Sequence, residues 1–348
     1  MQNYLFTYEQ DFHLEAGGKL PGFELAYCTF GKLNADQSNV IWVCHALTGN
    51  ADVTEWWGGL FGEGKFYNPE DDFVICANIL GSCYGSTGPL STNPKTGKPY
   101  YHDFPKLTVR DLVASLEILR QHLGIRQINT LIGGSLGGQQ ALEWAVEKPD
   151  VCENLILVST NAKHSPWGIA FNEAQRMAIA ADPTWITGGE KAGHNGMAAA
   201  RAAAMLSYRN YDTYRKTQED PDNEKIGNYK AAAYQQYKGA RLGDRFNAYT
   251  YWTISEVMDT HNISRGRGNL IETLEKIEAY THVIGITSDI LFPIPEQRLI
   301  ARWVKNVTYE EINSTYGHDG FLIETEKLRK SFRAFFRQKK KKLLHHSS

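Results

Sequence analysis

Residues 128–147, INTLIGGSLGGQQALEWAVE, constrain the fold more than any other stretch of the chain. A short apolar, β-branched run passes into a strong helix former through Gly-Gly-Ser-Leu-Gly-Gly, with no loop of ordinary length between them. That junction predicts a strand, a turn built of little but backbone, and a helix folded back on the strand, which is one unit of a parallel sheet. It also sets Ser135 at the apex, with Gly133 and Gly137 two residues to either side. A strained strand-to-helix turn holds a serine hydroxyl out at the end of a sheet as a nucleophile, and small neighbours permit the close approach.

The same texture recurs along the chain. NVIWVCHAL, FVICANIL and NLILVST read as buried strands, and TVRDLVASLEILRQHLG reads as a helix with Val109, Leu112, Leu116, Leu119 and Leu123 on one face. Strands alternating with helices predict an α/β fold with a mostly parallel sheet flanked by helices. From about His164 the pattern changes. NEAQRMAIAADP, NGMAAARAAAMLSYRN and NYKAAAYQQYKGARL are alanine-rich helix formers with no buried strand among them. Strand character returns at THVIGITSDILFP and VTYEEINSTYGHDG, before a closing helix, ETEKLRKSFRAFFRQ. The expected organisation is a core split between residues 1–163 and 276–338, a helical lid inserted at 164–275, and a disordered lysine-rich tail at 339–348. A connection of roughly a hundred residues inside a compact fold is long enough to expect a function for it.

The bulk properties exclude several classes. With 348 residues, 42% hydrophobic and 22% charged, and a formal net charge of −2, the chain has neither the basic surplus of a nucleic-acid binder nor an attraction to anionic membranes. Cys28, Cys44, Cys76, Cys83 and Cys152 are odd in number and scattered, with no Cys-x-x-Cys, so neither a disulfide framework nor a zinc site is expected. The histidines show no His-x-x-x-His spacing, so no metal is expected. Glu9, Asp11 and Glu15 interrupt any apolar core of an N-terminal signal, and no run is long enough to span a bilayer. A cytoplasmic protein is expected.

A serine hydroxyl is nearly inert at neutral pH until a base takes its proton, so the nucleophile reading requires a histidine and a carboxylate to orient it. In a turn of this type they follow in the order serine, acid, histidine. Asp289 stands just past HVIGITS, and His318 lies in STYGHDGFL after the next strand. His13, His102, His122 and His194 sit in polar or helical surroundings and read as surface residues. His45 ends the first buried strand, where its side chain is expected to fix the loop while the N–H of Leu47 joins that of Leu136 in an oxyanion hole.

CHALTGNAD, NILGSCYGSTGPLSTNPKTGKPY, IGGSLGGQQALEWA, AIAADPTWITGG, DTHNISRGRG, GITSDILFP and GHDGFL occur in one order and spacing across residues 10 to 335. In these words the chain resembles the homoserine O-acetyltransferase family, and the resemblance implies the α/β-hydrolase fold. It implies Ser135, Asp289 and His318 as the catalytic triad, and substrate contacts from Arg201, in NGMAAARAAAM, and from Asp319. Arg201 suits an amino-acid carboxylate and Asp319 its ammonium; Arg209 is the competing arginine, and Tyr208 a further pocket residue. Acetyl-CoA is implied as co-substrate, with no bound cofactor, and a homodimer through the lid helices as the assembly. Rivals with the same machinery use succinyl-CoA or serine, or let water take the acyl group; a scaffold that only binds a ligand has no need of all three triad residues. The sequence departs from the family pattern at Leu136, where methionine is expected, and at Asn247, where an aspartate is expected and the lid pocket is accordingly expected to differ.

Overall fold

The computed structural model describes residues 1–346. Eight strands form one sheet: β1 (Gln2–Tyr8), β2 (Phe23–Phe30), β3 (Val40–Cys44), β4 (Phe73–Ala77), β5 (Ile128–Gly134), β6 (Cys152–Val158), β7 (Tyr280–Ile286) and β8 (Val307–Ile312). Their order across the sheet is β1-β2-β4-β3-β5-β6-β7-β8. β1 and β2 run antiparallel to their neighbours, and every pairing from β4 to β8 is parallel. The two antiparallel strands escape a search for continuous apolar runs. Their signal is alternation: FELAYCTF buries Phe23, Leu25, Tyr27 and Thr29 and leaves Glu24 exposed.

Parallel strands are covered on both faces, and the sequence reflects it. All five residues of β3 are buried. Trp42 and Cys44 pack with one core layer and Ile41 and Val43 with the other. On the first face lie α1 (Val109–His122) and α2 (Leu136–Glu147), where Trp144 meets Trp42 edge to face at 5.1 Å. α1 begins at a reciprocal cap, Thr108 accepting from the Asp111 N–H and Asp111 from the Thr108 N–H. Leu112, Leu116 and Leu119 are buried as their spacing requires, while Leu123 is only partly covered.

Between β6 and β7 the chain forms α3 (Pro166–Ala180), α4 (His194–Tyr208), α5 (Lys230–Leu242) and α6 (Ala248–Asp259), together with shorter helices at Pro183–Thr187 and Tyr211–Gln218. The two ends of this segment are joined: the His164 N–H donates to His261 O at 2.9 Å and the Ile263 N–H to Ala162 O at 3.1 Å. Rejoining at 261–263 leaves the helix Leu270–Glu275 beside the core helix α7 (Ile294–Trp303).

The expectation of a disordered tail is corrected by α8, which runs from Thr325 to His346. Its first turns bury Leu328, Phe332 and Phe335. The lysines extend the helix because some of them find partners: Lys339 Nζ bonds Glu153 Oε1 at 2.5 Å and Asn154 Oδ1 at 2.6 Å, and Lys342 Nζ bonds Asn306 Oδ1 at 3.2 Å. Positive charge at a helix C-terminus also complements the helix dipole. Ser347 and Ser348 lie outside the described residues. Among the described residues, no helix is long and apolar enough to cross a membrane.

Candidate active site

In an open α/β sheet, loops from the carboxyl ends of neighbouring strands converge. Cys44 pairs with Gly133, Gly134 with Val158, Val158 with Ile284, and Ile286 with Ile312. The segments beginning at His45, Ser135, Ser159, Thr287 and Asn313 therefore leave the sheet along one edge.

Ser135 takes φ 56° and ψ −128°, a left-handed conformation unfavourable to any residue with a side chain. Three hydrogen bonds hold it there. Its N–H donates to Val158 O at 3.0 Å, and its carbonyl accepts from Thr160 Oγ1 at 2.8 Å and from the Gln139 N–H at 3.1 Å. A Cβ on Gly133 would lie 2.2 Å from the Gly137 carbonyl, and one on Gly137 would lie 2.0 Å from Cys44 O. The flanking glycines are thus required by approach of backbone to backbone.

Asp289 is fixed by its own turn. Oδ1 accepts the N–H groups of Leu291 and Phe292, each at 2.9 Å, and Oδ2 meets His318 Nδ1 at 2.7 Å. That bond places the ring proton on Nδ1 and leaves Nε2 as the basic nitrogen. The ring is 3% exposed and enclosed by aromatic faces: Phe292 stacked at 5.1 Å, Phe321 at 5.1 Å and Tyr208 at 6.0 Å. Phe321 is in turn held by Trp57, whose indole N–H donates to Phe321 O at 2.8 Å. Among the described residues no hydrogen bond joins Ser135 Oγ to His318. The two side chains line one cavity, together with Leu47, Arg201, Tyr208 and Asp319.

Leu47 belongs to a turn closed by the Gly49 N–H on Ala46 O at 2.9 Å. Leu136 is the first residue of α2, so its N–H has no carbonyl one turn back to bond. His45 has a structural place. Its Nδ1 lies 2.8 Å from Ala46 O and its Nε2 accepts the Ile79 N–H at 3.1 Å, and burial pushes its pKa down to about 4. It joins the loop carrying Leu47 to the loop after β4. His13, His102, His122 and His194 are all exposed.

The two arginines separate clearly. Arg201 lines the cavity, its guanidinium 4.9 Å over the Tyr208 ring. Arg209 is absent from that lining and sits with Nε 3.0 Å from Asp319 Oδ2, an ion pair without the alignment of a hydrogen bond. Burial pushes the Asp319 carboxyl above the usual range, opposed by the positive charges of Arg209 and Arg201. Asn247 turns out to cap α6, accepting the Thr250 N–H at 2.9 Å. Aspartate and asparagine serve equally there, so this departure leaves the cavity wall as it is.

Sequence reasoning missed Asn172, Gln175, Met258 and Leu291, which also line the cavity. They come from two helices and a loop far apart in the chain, and no spacing links them to Ser135.

A family model described as alpha/beta hydrolase fold matches residues 39–325. A homoserine O-acetyltransferase of Cyclobacterium marinum is 50% identical over 336 residues, covering 97% of this chain and 95% of that protein. Among solved structures, a homoserine O-acetyltransferase from Bacillus anthracis superposes with a TM-score of 0.88 at 26% identity, covering 96% of this chain and 97% of the other. Esterase E22 superposes with a TM-score of 0.87 over 96% of this chain and 99% of its own, but at 23% identity that likeness speaks for the fold alone. By descent and by architecture, the chain belongs to the homoserine O-acetyltransferase family within the α/β-hydrolase fold.

Proposed function

We propose that this protein transfers an acetyl group from acetyl-CoA to the side-chain hydroxyl of L-homoserine through an acyl-enzyme on Ser135. The observation that carries the reading is the 50% identity to a homoserine O-acetyltransferase across 97% of the chain. The chemistry of the site supports it. His318 Nε2 takes the proton of Ser135, whose Oγ attacks the thioester carbonyl. The N–H groups of Leu47 and Leu136 hold the tetrahedral oxyanion. The C–S bond breaks, CoA leaves with the proton from His318, and the acetyl group remains on Ser135. Homoserine then enters, its hydroxyl gives its proton to His318 and attacks the acetyl-serine, and Ser135 Oγ recovers the proton as O-acetylhomoserine departs. Arg201 receives the acceptor carboxylate and Asp319 its ammonium, which aims the hydroxyl at His318. Transfer outruns hydrolysis because the helical segment α3–α6 positions the acceptor and limits water over the acyl-serine.

On this reading the enzyme works in the cytoplasm, in methionine biosynthesis. We further propose a homodimer formed through the helical segment, a reading supported by the exposed apolar side chains of Met177, Ile186, Leu206 and Tyr237 there.

The test is a matrix of acetyl-CoA and succinyl-CoA against homoserine, serine and water, with products identified. O-acetylhomoserine as the dominant product is expected. Free acetate formed at the same rate with and without homoserine would make the protein an esterase, and a succinyl product would move the donor. In Ser135→Ala, acetyl transfer is expected to fall by about 10³-fold or more with the folded spectrum retained. Substantial residual transfer would remove Ser135 from the mechanism.

A further inference from the structure

One donor in the cavity has no part in the chemistry above. Gln175, on α3, is 3% exposed and lines the cavity with Ser135 and Arg201. Its Oε1 accepts the hydroxyl proton of Tyr251, on α6, at 2.5 Å. Tyr251 is fully buried, and its hydroxyl also lies close to Arg201 and Tyr208. A tyrosine has one proton to give. With that proton on Oε1, the polarity of the amide is set, and the two N–H bonds of Nε2 are left to the cavity.

The helices bring this amide beside the arginine. α3 and α4 meet so closely that a Cβ on Gly196 would lie 2.7 Å from Ile179 Cα. Gln175 stands one turn before Ile179 on α3, and Arg201 follows Gly196 on α4. The guanidinium and the amide thus stand side by side on the wall of one cavity, both presenting donors to the same space. A pair with donors only matches a carboxylate, which has lone pairs to accept from both and no proton to give.

We propose that Gln175 is a second donor to the carboxylate of the amino-acid acceptor, beside Arg201, and that Tyr251 is the positioning residue that keeps its N–H groups facing the substrate. The inference rests on the acetyl-transfer reading above and adds a determinant of acceptor choice to it. Gln175 therefore separates acceptors with a carboxylate from simple amino alcohols.

The experiment compares L-homoserine with 3-aminopropan-1-ol, which is homoserine without its carboxylate, as acceptors from acetyl-CoA. In Gln175→Met, which keeps the bulk and removes the donors, kcat/KM for homoserine is expected to fall about tenfold or more relative to any change with 3-aminopropan-1-ol, mainly through KM. Gln175→Glu, which opposes the carboxylate with a like charge, is expected to widen that gap towards about a hundredfold. Tyr251→Phe is expected to shift the ratio in the same direction by less, because the amide is freed to rotate but not removed. Should Gln175→Glu fail to fold, the methionine and phenylalanine variants decide. An unchanged ratio of the two acceptors in Gln175→Met overturns the contact, even if both rates fall together. A wild-type enzyme that acetylates neither alcohol overturns the transferase reading and this contact with it, whereas wild-type preference for homoserine with no change of ratio overturns the contact alone.

Discussion

Arg201 and Arg209 carry the same charge eight residues apart, within and at the end of one helix, yet removing them should have different consequences. Arg201 opens onto the cavity, and Arg209 is spent on Asp319. Arg201→Ala is expected to raise KM for homoserine about ten- to a hundredfold, with a weaker dependence on pH than in Arg209→Ala, because Arg201 is the lesser of the two charges that hold Asp319 down. Arg209→Ala acts through Asp319. Burial already pushes that carboxyl up, and Arg209 is the foremost charge holding it down. Without Arg209 the folded-state pKa rises further, so Asp319 becomes neutral as pH falls and no longer receives an ammonium. KM for homoserine in Arg209→Ala should therefore climb relative to the wild type as pH falls through the working range of the enzyme, and approach the wild-type value at the alkaline end. KM measured across that range for both variants checks the assignment; two flat, equal elevations would contradict it. At this scale the proposed triad is legible in the sequence because each member follows a strand-like run in the required order. The bond from Tyr251 to Gln175 is not, because it joins residues 76 apart on helices whose packing no local pattern announces.

The elements show a similar division. Strands buried on both faces are continuous apolar runs and can be read directly. β1 and β2 escape that reading because neither is a continuous buried run: β2 alternates in a polar setting, and the edge strand β1 buries Phe6 while Tyr4 and Leu5 remain exposed. The end of the last helix escapes it for the opposite reason. A run of lysines reads as solvated, and only the fold shows that β6 and the loop before β8 offer Glu153, Asn154 and Asn306 to it. The Lys339 side chain is 9% exposed and also lies 5.0 Å over the Tyr280 ring, whereas Lys340 and Lys341 are less enclosed. Lys339→Ala is expected to cost about 1 kcal/mol in a denaturant melt, combining two hydrogen bonds with a partly desolvated charge. Lys340→Ala and Lys341→Ala are expected to cost nearly nothing. Equal effects at all three positions would mean that the helix end is held by charge in general and not by the contacts of one side chain.

Among the described residues, the molecule encloses four histidines that the proposed chemistry does not use as bases. His45, His164 and His282 are each pushed down by burial to about 4, and His261 to about 3. Each is neutral in the fold and ordinary once unfolded, with a pKa near 6.5. Below pH 6.5 the unfolded chain takes up protons that the native state refuses, so stability present above that value is lost as pH falls towards 4. The protein is therefore expected to unfold progressively more easily between about pH 6.5 and 4, well before its surface carboxylates titrate fully. His282 isolates one contribution. It lies far from Ser135 in the sheet, bridging Thr308 Oγ1 at 2.7 Å and Ser331 Oγ at 2.8 Å. The substitution His282→Gln keeps a donor and an acceptor in the sheet but removes the group that can be protonated. That variant is expected to be less stable at pH 7 from imperfect packing, and yet to lose about 2 kcal/mol less than the wild type between pH 7 and 5. Denaturant midpoints at the two pH values measure the difference; parallel losses in both proteins would show that the acid sensitivity comes from carboxylates and not from these buried rings.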